Sequence, residues 1–164
     1  MSDLTKTSNH GKMRVNSPIG FERMDTSDGT KLFMTGRIKS TAGVNQGDAV
    51  QYSGGYIVSA DNAALPHDFA GVSLDTIAGT ASTSTDVTVD QGLIMGDREY
   101  KVQASDAALT STDIGLPCML TTSGKVLFSG AKQSTGQFIC TDVLDYTNKI
   151  VKVRLNRGEF GSGA

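Results

Sequence analysis

The sequence has no tryptophan, 6% aromatic residues, 20% charged residues and a formal net charge of −2. Each shortage excludes something. A chain this close to neutral has no counterion-driven attraction for nucleic acid, and so few aromatics leave little material for a base-stacking platform. Met1 to Gly20 carries only scattered Leu4, Met13, Val15 and Ile19, without the apolar run of a secretory signal. No stretch approaches the length that crosses a bilayer. The expectation is a protein made and used in a cytoplasm, or released from one by lysis, with neither a nucleic-acid nor a membrane partner.

Chemistry-bearing residues are equally sparse. Only two cysteines are present, Cys118 and Cys140, with no Cys or His close to either. In a reducing compartment they read as two small buried apolar side chains and not as a disulfide. Two cysteines and two histidines at unrelated spacings fit no zinc pattern. His10 sits in a polar stretch where fixed catalytic geometry is implausible, and His67, beside Asp68, reads as an exposed loop histidine. Asp86 and Asp90 read as the solvent face of a strand instead of a calcium loop. Gly124-Lys125 resembles the end of a phosphate loop, but Val126 stands where Ser or Thr is needed, so it reads as a hairpin turn. Nothing has the form of a Gly-x-Ser-x-Gly elbow or a dinucleotide fingerprint. Neither catalytic residues, nor a cofactor, nor a metal is expected; the chain is not read as an enzyme.

What the sequence does have is glycine, 19 residues of it, with abundant Ser and Thr. That mixture suits short strands joined by turns. Residues 1–28 form a polar arm without period 2 or period 3.6, broken by Ser17-Pro18-Ile19-Gly20. Stretched out it reaches roughly 90 Å, and as a coil it averages roughly 30 Å. Met13, Val15, Ile19, Phe21 and Met24 are its candidate anchors on a partner. The β domain spans residues 29–158, and residues 159–164 form a short flexible tail.

Within that domain the chain resembles itself. Gly47-Asp48-Ala49-Val50-Gln51-Tyr52-Ser53, then Gly54-Gly55 and Tyr56-Ile57-Val58, matches Gly115-Leu116-Pro117-Cys118-Met119-Leu120-Thr121, then Ser123-Gly124 and Lys125-Val126-Leu127-Phe128. Each reads as a β-hairpin. Phe69 to Asp75 matches Gly136 to Asp142 as a third strand, and Asp86 to Gly92 matches Lys152 to Gly158 as a fourth. The fourth strands alternate, with Val87 and Val89, or Val151, Val153 and Leu155, on one face. The expected fold is therefore all-β: a small barrel or sandwich of two similar four-stranded units, residues 43–92 and 111–158, sharing a core and preceded by an extended arm. Lys31 to Ile38 supplies a strand before the first unit. Gly92-Leu93-Ile94-Met95-Gly96 and Glu99 to Val102 are expected as linking strands, and Ser105 to Leu109 as one helical turn.

Four of these segments carry a resemblance to a known family. Gln46-Gly47-Asp48-Ala49-Val50 looks like the opening "G-D-x-V" strand of the capsid cement (head decoration) proteins of tailed bacteriophages. Phe69-Ala70-Gly71-Val72-Ser73-Leu74 is similar to that family's "x-G-V-A-L" strand. Asp86 to Gly92 resembles the strand that follows, and Val151-Lys152-Val153-Arg154-Leu155 is similar to the closing "V-x-V-x-L". The resemblance covers residues 36–158. It implies a structural virion protein on the outer surface of the capsid, assembled in the host cytoplasm. Such a subunit binds the major capsid protein as a homo-oligomer, often a trimer. The arm of about 28 residues is longer than the family's usual beginning. Other readings are a receptor- or carbohydrate-binding β-module, a tail or connector protein, and a small hydrolase with an unfamiliar site.

Overall fold

The computed structural model describes residues 20–24, 33–38, 43–79, 85–95, 98–121, 123–129 and 136–157. Among these described residues the regular elements are eleven strands and three short 3₁₀ turns. The strands are β1 (Glu22–Arg23), β2 (Phe33–Ile38), β3 (Ala49–Ser53), β4 (Tyr56–Ser59), β5 (Phe69–Ser73) and β6 (Thr85–Asp90). They continue as β7 (Tyr100–Gln103), β8 (Pro117–Leu120), β9 (Val126–Leu127), β10 (Phe138–Asp145) and β11 (Ile150–Leu155). The first unit is a closed barrel in the order β2-β4-β3-β5-β6. The second is a sheet in the order β1-β7-β11-β10-β8-β9, whose β7 and β9 ends meet through one parallel bridge, Ala104 to Val126. With β1 set aside, the two strand orders are the same.

The likeness extends to single hydrogen bonds. The Gly47 amide donates to the Ser73 carbonyl and the Ser73 amide to the Asp48 carbonyl, both at 2.8 Å. In the second unit the Gly115 amide donates to the Cys140 carbonyl at 2.8 Å, and the Cys140 amide to the Leu116 carbonyl at 3.0 Å. The Ser73 hydroxyl donates to the Asp75 carbonyl at 2.8 Å, as the Cys140 thiol donates to the Asp142 carbonyl at 3.3 Å. Ala49 faces Val72 as Pro117 faces Ile139, and Val50 faces Gly71 as Cys118 faces Phe138. The parallel contact of Ile38 with Ile57 is the counterpart of the Ala104–Val126 bridge.

Three expectations need correction. Ser73 pairs with Val89 and Cys140 with Val153, so Val89 corresponds to Val153 and not to Leu155. The fourth strand is thus offset by two residues, a slip that leaves every side chain on its original face and so is invisible to a period-2 pattern. Gln91–Met95 is a 3₁₀ turn and not a strand: Leu93 is fully buried, and the turn packs against β5 instead of extending a sheet. Residues 105–109 form bends, and the short helical element falls later, at Ser111–Asp113. The tail at 159–164 lies outside the described residues.

One barrel closes and the other stays half open because their interiors differ in bulk. Gly36, on β2, has no side chain where a Cβ would press on Ile57 across the seam. Gly71, at φ +146°, lies so close to the Asp90 carbonyl that no side chain fits. Pairing places Val102 and Phe138 at the corresponding positions of the second unit. The first interior is a compact cluster of Ile38, Val44, Val50, Ile57, Val87 and Val89. The second holds Tyr100 and Phe138, and it extends across the outer face of the first barrel through Ala49, Phe69 and Val72. Every residue of β5 is buried for this reason, with one interior on each side.

The expected arm does not run to residue 28 as a separate piece. Phe21 is 3% exposed, and its ring lies 4.9 Å from that of Phe138 and 6.5 Å from that of Tyr100. Glu22 and Arg23 pair antiparallel with Lys101 and Tyr100, and the Phe21 amide donates to the Gly47 carbonyl at 2.7 Å. The segment therefore belongs to the body. Phe21→Ala should destabilise the protein by about 3–5 kcal/mol in denaturant unfolding, the usual cost of removing a buried phenylalanine. The unit correspondence makes a second prediction. Cys140→Ser should be tolerated, because Ser73 makes the same bond in the first unit. Cys140→Val, which loses that bond, should cost about 0.5–1.5 kcal/mol more in the same measurement.

Candidate functional site

The groups that bear chemistry are scattered. His67 lies 3.4 Å from Asp68, but its side chain is 75% exposed, in the 3₁₀ turn Pro66–Asp68. Ser73 is fully buried with its proton committed to the Asp75 carbonyl. Both cysteines are buried and free. Burial pushes the Cys118 thiol well above its usual range, with smaller contributions from Cys140 and Asp106. Burial likewise pushes Cys140 up to about 11, so neither is a thiolate near neutral pH. Among the described residues no three His, Cys, Asp or Glu side chains gather as a metal site.

The built polar features lie at the seam between the units. Gln137 is fully buried and uses both ends of its amide. Its nitrogen donates to the Asp61 and Ala64 carbonyls, each at 2.7 Å, and its oxygen accepts from the Leu120 amide at 2.7 Å. One side chain thus ties a loop of the first unit to β8 of the second. Asp90 makes a second tie. The alternation of β6 assigned it to the wet face with Asp86, and only Asp86 is there, exposed and 3.6 Å from Arg37. Asp90 is 5% exposed, because the second unit covers the end of β6. It accepts from the Gly92 amide at 2.9 Å and the Tyr100 hydroxyl at 3.1 Å, with the Arg23 guanidinium 3.8 Å away. Burial, then the charge and hydrogen bond of Asp90, hold the Tyr100 phenol protonated far above its ordinary range.

Beside the seam runs a cleft of about 350 Å³, lined by Asn45, Asp48, Ser59, Thr121, Ser123 and Gly124 among others. Its lining is mainly polar, with Ala49, Ala60 and Leu120 as the apolar part. The Asp48 carboxylate accepts from the Asn45 amide at 2.9 Å and the Ser59 hydroxyl at 3.2 Å.

Of the five sequence-predicted contact residues, Met13, Val15 and Ile19 lie outside the described residues. Phe21 must be withdrawn as an anchor on a partner, since it fills this protein's own interior. Met24 is 38% exposed, and its amide donates to the Glu99 carbonyl at 3.0 Å. Apolar surface missed by sequence reasoning lies elsewhere. Phe33, Tyr52 and Tyr56 are exposed on the first barrel, where the Tyr52 hydroxyl meets the Met34 sulfur at 3.1 Å. Ile114, Leu116, Leu144 and Tyr146 are exposed on the second unit. Their sequence signal was present, as strand-end aromatics and aliphatics out of phase with the buried face, but such residues also occur singly on ordinary surfaces.

These geometries define an all-β body with two structural ties at its seam. Among solved structures, the chain is similar to the N base of head fiber gp8.5 of bacteriophage phi29. The TM-score is 0.49 at 13% sequence identity, covering 76% of this chain and 94% of that one. No family model matches the sequence, and no curated protein does.

Replacing Gln137 by Leu leaves two buried backbone groups, the Ala64 carbonyl and the Leu120 amide, without partners, while the Asp61 carbonyl keeps the Ala64 amide at 3.2 Å. The variant should lose about 2 kcal/mol or more in denaturant unfolding, at roughly 1–3 kcal/mol for each orphaned group. Amide exchange should accelerate first at Ala64 and Leu120.

Proposed function

We propose that this protein is a structural, non-catalytic subunit of a tailed-phage head. In this reading it is a decoration protein that sits on the outer surface of the shell and ties neighbouring major capsid subunits together. The observation that carries the reading is where its four family-like motifs fall. Gly47 to Val50 leads into and opens β3, Phe69 to Ser73 is β5, Asp86 to Asp90 lies in β6, and Val151 to Leu155 lies in β11. They are therefore strands of the barrels and not isolated matches in loops. A body with two hydrophobic interiors, cross-tied by Gln137 and Asp90, suits a part that must resist deformation. Residues 1–19, with Met13, Val15 and Ile19, remain the proposed reach toward adjacent capsid subunits. Many copies on one shell make modest single contacts sufficient. A homo-oligomer, with a trimer favoured, completes the proposal.

The test uses gradient-purified phage particles from a host expressing either the full chain or a chain lacking residues 1–19. The full chain should migrate with filled heads at saturating occupancy. The truncated chain should keep the unfolding midpoint of the full chain and lose about tenfold or more in affinity for heads, equivalent to about 1.4 kcal/mol. Equal occupancy of the two forms rejects the arm, and a protein found only free in the lysate rejects the whole reading.

One observation favours a second reading, a carbohydrate-binding module of the virion. The seam cleft offers Asn45, Asp48, Ser59, Thr121 and Ser123, groups that hydrogen-bond polyols. Binding on a glycan array that disappears in Asp48→Ala would favour it over capsid decoration.

A further inference from the structure

The correspondence between the units shows a strand position that is filled in one and open in the other. In the second unit β1 adds antiparallel to the start of β7, with Glu22 opposite Lys101 and Arg23 opposite Tyr100. The Met24 amide donating to the Glu99 carbonyl extends that ladder. Phe21, just before β1, turns its ring onto Tyr100 and Phe138 and covers the open end of the interior.

The same position in the first unit is fixed by pairing. Tyr100 faces Val153, and Met34 faces Val89, its counterpart; Lys101 faces Lys152, and Thr35 faces Thr88. Met34 and Thr35 therefore correspond to Tyr100 and Lys101. Among the described residues no strand pairs with this stretch of β2 on the side away from β6. β-Pairing with β4 comes only at Ile38, and β4 begins at Tyr56, opposite the far end of β2.

This edge, unpaired among the described residues, has its hydrogen-bonding groups pointed outward. The Thr88 amide donates to Asp75 at 2.7 Å and its carbonyl accepts from the Leu74 amide at 2.9 Å, both toward β5. Thr35 and Thr88 are thus a non-hydrogen-bonded pair, and the Thr35 backbone N–H and C=O face away from β6. Beside this edge Phe33 and Tyr52 present exposed aromatic surface, and Met34 is half-buried, its sulfur met by the Tyr52 hydroxyl at 3.1 Å and the Gln91 side-chain amide at 3.0 Å. Phe33 is 49% and Tyr52 50% exposed, whereas Leu120, the counterpart of Tyr52, is buried.

We propose that the edge of β2 at Phe33–Thr35 is a strand-acceptor site. It takes an extended segment of a partner polypeptide, added antiparallel, with one large apolar side chain laid over Met34 and Tyr52. The occupant's chemistry is read from the internal example: a short extended stretch whose aromatic or aliphatic residue caps the barrel as Phe21 caps the second unit. Main-chain bonds to Phe33 and Thr35 supply the affinity, and the Met34–Tyr52 surface supplies the preference for an apolar residue. The inference rests on the unit correspondence and stands apart from the assignment to a phage head.

The test is amide exchange and chemical-shift mapping on isotope-labelled full-length protein, with a capped synthetic peptide copying residues 18–26 as the probe. In dilute free protein the Thr35 amide should exchange fast. Saturating peptide should slow it at least tenfold and shift the Phe33, Met34 and Tyr52 signals. Thr35→Pro removes the outward donor without removing a β2–β6 bond, so it should abolish the response while leaving the unfolding midpoint within a few degrees. Thr35→Ala should respond like the native chain. A Thr35 amide already protected in dilute free protein overturns the proposal, because the edge is then filled by this chain itself. So does protection that grows with protein concentration in the absence of peptide, which assigns the edge to a second copy. A peptide response equal in Thr35→Pro, confined to β7, or absent also overturns it.

Discussion

The constraint on which the rest of the structure depends is the packing of three phenylalanines where the two units meet. Phe138 rises from β10 inside the second unit, Phe69 reaches it from β5 of the first at 5.5 Å, and Phe21 closes over it at 4.9 Å. The three rings come from segments far apart in sequence, so their contact fixes the N-terminal segment and both units in one arrangement. Phe138 stands at the interior position that corresponds to Gly71, where the first unit's neighbouring strand comes too close for any side chain. A barrel with that ring inside does not draw its strands as close together as one with glycine there. The half-open second unit, and its need for a partner, follow from this one difference in volume.

Hydrophobic packing alone would leave the relative orientation of the units loosely defined. Polar ties at the seam set it. Gln137 spends every hydrogen-bonding direction of its amide on backbone groups of both units, apart from one acceptor lone pair, so a shift of even an ångström leaves buried groups unsatisfied. The Asp90 carboxylate is held by the Gly92 amide and the Tyr100 hydroxyl, with Arg23 adjacent. A buried charge of this kind adds little net stability, because desolvation offsets its attractions. What it adds is a penalty for every other packing of β1, β6 and β7. The exposed Arg37–Asp86 pair, by contrast, contributes little in either respect.

The parts of this architecture legible in the sequence were those with a local cause. Gly54-Gly55 and Ser123-Gly124 marked two hairpins, and alternation marked β6 and β11, because turns and pleats are written into neighbouring residues. Pairing across the molecule was not so written. Val87 and Val89 align with Val153 and Leu155 as well as with Val151 and Val153, and only the partner strands decide. Asp90 reads as a wet-face residue from β6 alone; it is buried by elements that follow it in the chain. Gly92-Leu93-Ile94-Met95 is apolar enough for a strand, but it packs as a 3₁₀ turn beneath the second unit. Phe21 reads as part of a polar arm because its burial depends wholly on Phe138 and Tyr100. Gln137, the principal seam residue, has no local signal at all: a lone glutamine beside a glycine is ordinary until three backbone groups converge on it.

Two units with one topology normally present equivalent surfaces, and the departures from equivalence are where function has room to enter. In the second unit the edge of β7 is occupied by β1, and the mouth is plugged by aromatic rings. In the first, the glycines that allowed tight closure removed the need for an internal plug, yet Tyr52 stands exposed where Leu120 is buried. Natural sheets blunt their edges with charge, proline or a bulge. The β2 edge at Phe33–Thr35 has none of these, and aromatic side chains flank it. Exposing apolar surface beside an unblunted edge invites association, and such a combination persists most readily where a partner covers it. The same duplication that gives the protein its rigid seam therefore fills the β7 edge in one unit and, among the described residues, leaves the matching β2 edge of the other without a strand.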